Sequence, residues 1–281
     1  MAEILSGKLM SEELTRDQAR RVAEMKEQGI HPGLAVVLVG EDPASQIYVR
    51  NKGIACETIG LYSRTVKLDK DIPQAELIKA IQALNEDPLI HGILVQLPLP
   101  KHLDEEVVLA SILPEKDVDG FHIDNAGRLF TGQEGVVACT PKGIMYMLKQ
   151  AGVPLAGKEA VVIGRSNIVG KPVAMLLLGE HCTVTICHSR TQNLKDHCRR
   201  ADILVAAIGK PHFVTADMVK PGAAVVDVGI NRVDGKVVGD VDYEAVKDIA
   251  GYITPVPGGV GKMTISMLME NTLEAACRQA R

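Results

Sequence analysis

A chain of 281 residues is long enough for one large domain or two modest ones with real cores. With 46% hydrophobic and 23% charged residues it has the balance of a globular protein. A net charge of −4 and the absence of tryptophan argue against a nucleic-acid surface or a base-stacking platform.

Residues 11–28 carry helical apolar spacing and stop at Gly29. GLAVVLVG (33–40) is a nearly continuous apolar run, as in a strand buried on both faces. Asp42 followed by Pro43 marks a helix start, and that helix is expected to run to about Glu57, before Gly60. A strand over 61–68, a helix over 73–85 and a strand in HGILVQLP (91–98) complete a βαβαβ series, hence a parallel sheet. Residues 114–139 are rich in Gly, Asp and Pro and read as mostly loop. A capped helix is expected over 140–152, then strands at 160–164, 183–187, 203–206, 223–228 and 252–255, and a closing helix over about 264–279. The fold class is α/β with two lobes, each a mainly parallel sheet flanked by helices, the second of Rossmann type. The domains are expected at 1–139 and 140–263, with the C-terminal helix 264–281 packing back onto the first and a ligand cleft between them.

MAEILSGKLM meets charge at Glu3 and Lys8, so no leader-like apolar core is expected. No apolar run approaches the roughly 18 residues of a membrane span. Neither membrane nor nucleic acid is expected as a partner. Six cysteines without a C-x-x-C pair suit a reducing, cytoplasmic compartment. Cys182, Cys187, His188, His197 and Cys198 follow no common zinc spacing, so no metal is expected.

GRSNIVG (164–170) joins an apolar strand to a helix, with Gly164 for the tight turn and helix-start amides suited to phosphate. Ser166 replaces the second glycine of the usual fingerprint, so the loop alone also fits an ordinary strand–helix turn. In NAD sites an acid closes the next strand and takes the ribose 2′-hydroxyl. Here that strand ends in His188-Ser189-Arg190-Thr191, and Arg165 sits in the loop. Cations and hydroxyls in place of a carboxylate suit the 2′-phosphate of NADP.

In PASQIYVRNKGIA (43–55), Ser45, Tyr48 and Lys52 share a helical face. A tyrosine hydroxyl one turn from the ammonium can hydrogen-bond it, and partial burial would make the lysine a usable base. A snorkelling lysine fits the same spacing. VQLPLP (95–100) sets Gln96 at a strand end between Val95 and Leu97, where its amide needs partners. PEKDVDG (114–120) lacks the later ligands of a calcium loop; Asp119 suits an amidine-like ring edge or simply caps a turn. TPVPGGVGKMT (254–264) allows close backbone approach to a planar ligand, or serves as a hinge.

Together YVRNKGIAC, GILVQLPLP, PEKDVDG, GRSNIVGKP and TPVPGGVG resemble the bifunctional methylenetetrahydrofolate dehydrogenase/methenyltetrahydrofolate cyclohydrolases over essentially the whole chain. The resemblance implies oxidation of 5,10-methylenetetrahydrofolate by hydride transfer to NADP, then hydrolysis to 10-formyltetrahydrofolate. It implies a homodimer serving one-carbon metabolism and purine biosynthesis. By the same resemblance Lys52 is the catalytic lysine, Tyr48 shapes the pocket, Gln96 assists the lysine and Asp119 anchors the pterin. Val95, Leu97, Pro257 and Gly258 line or cover the folate, and Gly164, Arg165, Ser166, Ser189 and Ile230 contact the cofactor. One departure stands out: Lys262 occupies a position where the family commonly has proline. Two rival readings are a monofunctional dehydrogenase, which the retained Tyr48, Lys52 and Gln96 speak against, and a non-catalytic NADP- or folate-binding protein.

Overall fold

The computed structural model describes residues 1–280, which divide into two compact units. One comprises Glu13–Cys139 with the segment from Ile265 onward; the other comprises Met1–Glu12 and Thr140–Thr264. The chain opens with β1 (Glu3–Ile4) and α1 (Gly7–Glu27).

The first unit then runs β2 (Gly33–Val39), α2 (Pro43–Ile59), β3 (Tyr62–Leu68), α3 (Gln74–Glu86) and β4 (Gly92–Val95). Its sheet has the order β3-β2-β4 and is parallel throughout. Every residue of β2 is buried, which is why its sequence shows no alternation. Leu77, Ile81 and Leu84 of α3 lie four and three residues apart, so they share a face and pack into the core with Val37 and Ile93. Each such side chain contributes about 1.5–3 kcal/mol on burial. At the head of α2 the Asp42 carboxylate accepts the Ser45 N–H at 2.8 Å, with Pro43 in the first turn. Gly60, at φ +74°, closes the helix in the left-handed region that glycine tolerates.

Residues 114–139 were expected as mostly loop, yet they contain α5 (Ile123–Phe130), preceded by α4 (Glu105–Ala110). The reason is visible in the anchoring of α5. Ile123 and Phe130 are exposed, and the helix is held by buried Asn125 and by the His122 ring, which accepts the Asp124 N–H at 3.1 Å. Its helically spaced apolar residues, Ile123, Ala126 and Phe130, are few and all exposed, and the Gly, Asp and Pro around them read as loop.

The second unit continues with α6 (Cys139–Gln150), β5 (Glu159–Ile163), α7 (Gly170–Gly179), β6 (Thr183–Cys187), α8 (Leu194–Arg200), β7 (Ile203–Ala206) and β8 (Ala224–Asp227). It closes with β9 (Asn231–Val233), β10 (Lys236–Val238), α9 (Tyr243–Val246) and β11 (Tyr252–Ile253), and the last helix, α10 (Val260–Gln279), begins in this unit and belongs to the first from Ile265 onward. The main sheet is parallel, in the order β1-β11-β8-β7-β5-β6. Parallel pairing of Glu3 with Tyr252 draws the first residues into this unit, whereas the alternation pattern counted them with the first lobe. β9 and β10 form an antiparallel hairpin that was not expected; Asp234 and Gly235 turn it at φ +49° and +75°. Successive strands lie to opposite sides of β5: β6 on one, β7 on the other. The connections therefore reverse direction between β5 and β7, and the carboxyl ends there form the crevice where α/β sheets bind ligands.

Candidate active site

In the first unit α2 presents Lys52 half-buried, and the strand end after β4 presents Gln96. The two meet: Lys52 Nζ donates to Gln96 Oε1 at 2.9 Å. The orientation of the amide has a local cause. Gln96 Nε2 donates to the Leu97 carbonyl at 2.7 Å, which leaves Oε1 for the ammonium. The Gln96 N–H is itself fixed to the Val37 carbonyl at 2.9 Å. The ammonium thus bonds to Gln96 rather than to Tyr48, whose side chain is 45% exposed on the same helix. Ser45, placed on that face by its spacing, is buried, and its N–H serves the cap.

Asp119 joins this pair electrostatically. Burial lowers the Lys52 pKa, and the Asp119 charge opposes that shift. Burial pushes the Asp119 carboxyl up to about 6, with Lys52 pulling it down and Asp117 adding to the rise. Asp119 retains some surface exposure, so its carboxyl is reachable although its surroundings solvate it poorly. Its position is set on both sides. Buried Asp117 accepts the N–H groups of Gly120 (3.2 Å) and His122 (2.8 Å) and the Asn125 amide (3.0 Å). The Val118 carbonyl accepts the Asn271 amide at 2.8 Å and the Cys139 thiol at 3.3 Å. Gly120 sits at φ +76°, and a Cβ there would come within 2.5 Å of the Ala138 nitrogen. Val95 is buried in the core and Leu97 is partly exposed, flanking Gln96. These supporting groups escaped the sequence reading; the only sign of them was a pair of acids, Asp117 and Asp119, in one short turn.

The second unit carries the glycine turn at the end of β5. Gly164 has φ +125°, and a Cβ on it would lie 2.2 Å from the Ala207 carbonyl oxygen. A Cβ on Gly170 would lie 2.4 Å from the Gly164 oxygen. Glycine is therefore required at both ends of the loop, as close packing of a nucleotide-binding turn demands. Ser166 Oγ accepts the N–H groups of Val169 and Gly170, each at 3.2 Å. Arg165 and Ser166 are exposed, and so are Ser189 and Arg190 at the end of β6, which pairs with β5 up to Ile163↔Cys187. No acid closes β6; His188 turns that end by accepting the Arg190 N–H at 3.1 Å. This donor set fits a dinucleotide carrying a 2′-phosphate. Ile230, after β8, is 56% exposed. Pro257 is exposed and Gly258, at φ +105°, lies just before α10; both belong to this unit. Lys262 is exposed in the first turn of α10.

Comparison with known proteins agrees with both units. The family described as "Tetrahydrofolate dehydrogenase/cyclohydrolase, catalytic domain" matches residues 5–119. Its companion "Tetrahydrofolate dehydrogenase/cyclohydrolase, NAD(P)-binding domain" matches residues 138–280. The bifunctional protein FolD of Moorella thermoacetica is 59% identical over 278 residues, covering 99% of each chain. Among solved structures, the bifunctional enzyme FolD of Campylobacter jejuni, a methylenetetrahydrofolate dehydrogenase/cyclohydrolase, is similar with a TM-score of 0.98 and 48% identity over 99% of this chain and 100% of that one. The Trypanosoma brucei N5,N10-methylenetetrahydrofolate dehydrogenase-cyclohydrolase, solved with NADP cofactor and an inhibitor, has a TM-score of 0.95 and 39% identity over 100% of this chain and 99% of that one. On its sequence and on its fold, the chain belongs to the tetrahydrofolate dehydrogenase/cyclohydrolase family.

Proposed function

We propose that this chain oxidises 5,10-methylenetetrahydrofolate with NADP and hydrolyses the resulting 5,10-methenyltetrahydrofolate to 10-formyltetrahydrofolate. The observation that carries the hydrolytic half is the Lys52–Gln96 contact at 2.9 Å, made by a lysine whose pKa burial has lowered.

The two steps make different demands. Removing a hydride from the methylene carbon leaves a delocalised cation, so no proton moves in that step and positioning suffices. NADP, when bound, supplies the hydride acceptor; Gly164, Arg165, Ser166, Ser189 and Ile230 are the residues assigned to hold it. Hydrolysis needs proton traffic. Water adds to the methenyl carbon and gives up one proton to the base; the hydroxyl adduct then releases its O–H proton to solvent as C=O forms, the C–N5 bond breaks and N5 takes a proton. With one N–H held by Gln96, the neutral amine of Lys52 directs its lone pair elsewhere, toward the water it deprotonates. The resulting ammonium then serves as the acid for N5. Asp119, ionised above about pH 6, accepts from the N–C–NH2 edge of the pterin. Tyr48, exposed on α2, gives the ring a face to lie against, with Val95 and Leu97 beside it.

The folate role is assigned to the unit of Glu13–Cys139 with the segment from Ile265 onward, and the cofactor role to the unit of Met1–Glu12 and Thr140–Thr264. The same reading takes the protein as a homodimer working in the cytoplasm and feeding 10-formyltetrahydrofolate to purine biosynthesis, with the family likeness as its support. The thiols support a reducing compartment: Cys56, Cys139, Cys182, Cys187, Cys198 and Cys277 form no disulfide among the described residues. Among the described residues no helix is long and apolar enough to cross a membrane.

The test follows near-ultraviolet absorbance as purified protein meets methylenetetrahydrofolate and NADP, then follows methenyltetrahydrofolate decay without cofactor. Both reactions are expected. Turnover in the first alone would leave a monofunctional dehydrogenase, and ligand binding without turnover a sensor.

A further inference from the structure

Two buried carboxylates of the second unit have no part in the chemistry above. Four donors converge on Asp240, which is fully buried. Its Oδ2 accepts the N–H groups of Ile208 (2.7 Å) and Gly209 (3.0 Å), and its Oδ1 accepts the Lys210 N–H (2.8 Å) and the Asn231 amide (2.9 Å). Asp227, at the end of β8, accepts the N–H groups of Gly229 (2.9 Å), Asp240 (2.8 Å) and Val241 (2.9 Å). The pair is closely fitted: a Cβ on Gly229 would lie 2.3 Å from Asp240 Oδ1, and one on Gly239 would lie 1.8 Å from Asp227 Oδ2.

Stability alone is a poor reason for such an arrangement, since well-packed apolar groups often do as well as buried charges. What a carboxylate offers is several fixed acceptor directions at one point. Here they tie together two separate loops, 208–210 after β7 and 229–231 after β8. Both loops leave the carboxyl edge of the sheet on the β7 side of the switch point. Ala207, next to Ile208, is the residue against which Gly164 packs. In this class of sheet the adenosine half of a dinucleotide lies toward the second strand of the unit, here β6. A nicotinamide half would therefore lie on the other side, toward the carboxyl ends of β7 and β8 from which these loops leave. Ile230 is left exposed between Gly229 and Asn231, both of them tethered.

We infer that Asp240, backed by Asp227, is a positioning residue for the nicotinamide half of the dinucleotide, acting through the 208–210 and 229–231 loops. The inference rests on the NADP reading given above. Asp240→Asn puts an NH2 group against backbone N–H donors and loses half of the acceptor set. Asn231→Ala is milder and removes one donor of the four. Each variant is titrated with NADP by calorimetry, and its methenyl hydrolysis is measured without cofactor. In Asp240→Asn the NADP dissociation constant is expected to rise about tenfold or more, the effect of one lost charge-assisted bond, with a smaller rise in Asn231→Ala. Cofactor-free hydrolysis is expected to stay within about twofold in both, since no group of the lysine site is touched. An unchanged NADP affinity in both variants, or hydrolysis falling in step with affinity, would overturn the inference. Should Asp240→Asn fail to fold, Asn231→Ala alone decides between those outcomes. A wild-type protein that hydrolyses methenyltetrahydrofolate but binds no NADP would overturn this inference and the cofactor reading together.

Discussion

Poor solvation acts on Lys52 and Asp119 in the same sense, disfavouring charge on both, and each charge partly rescues the other. The consequence for activity has a sign. Hydrolysis needs the free amine, so its rate should fall as pH drops through the lowered Lys52 pKa. Hydride transfer should lack that limb, and both activities should lose substrate affinity below about pH 6 as Asp119 takes up a proton. Parallel profiles for the two steps would speak against a lysine base. The consequence for stability has a sign too. The folded pKa of Asp119 lies above its unfolded value, so its contribution is fully present below 3.8 and is lost as pH rises through about 6. Asp119→Asn is neutral at every pH. Relative to wild type it should therefore gain stability between pH 4 and pH 7 in denaturant titrations; an equal difference at both values would contradict the burial argument. In the other unit, Arg165→Ala should raise the NADP Michaelis constant about tenfold with kcat little changed, the size of one charge-assisted bond. An unchanged constant would remove the reason for preferring NADP over NAD. Residue types and helical spacing marked Lys52, Gln96, Asp119 and Arg165 as candidates, and only the family resemblance gave them roles. Spacing could not show that the Leu97 carbonyl turns the Gln96 amide toward the lysine, or that Ser166 accepts from its own helix start. Those facts depend on neighbours fixed only by the folded chain.

Elements were legible where burial imposed a period or a run. The seven buried residues of β2 and the Leu77, Ile81, Leu84 face of α3 are cases in point. Leu77→Ala should cost about 2–5 kcal/mol in chemical unfolding with an unchanged denaturant slope. A cost well under 1 kcal/mol would mean that α3 does not depend on this face. Several elements stayed hidden, among them α5, β1 and the β9–β10 hairpin. α5 is anchored by Asn125 and His122, and its short apolar stripe of Ile123, Ala126 and Phe130 is exposed rather than buried. The two residues of β1 are too few to carry a pattern, and their partner lies some 250 positions away. The β9–β10 hairpin did carry a signal, because Asp234-Gly235 is a preferred two-residue turn. The flanking strands have only three residues each, short enough to be passed over as part of a loop.

For the whole molecule, alternation of strand and helix was sufficient to give two mainly parallel sheets, and family membership agrees with both halves. What alternation cannot reveal is that β1 adds to the far sheet, since that pairing depends on where the chain is led after folding. The central claim is that one chain performs two steps with different needs: a hydride step that asks only for positioning, and a hydrolytic step that asks for a proton carrier at Lys52. The most direct test is Lys52→Met, with both activities measured on one preparation and substrate affinity checked for each. The account predicts that hydrolysis falls at least about 100-fold, the usual reach of general acid–base catalysis, while hydride transfer to NADP falls far less. Equal losses in the two activities, with folate binding intact, would contradict it.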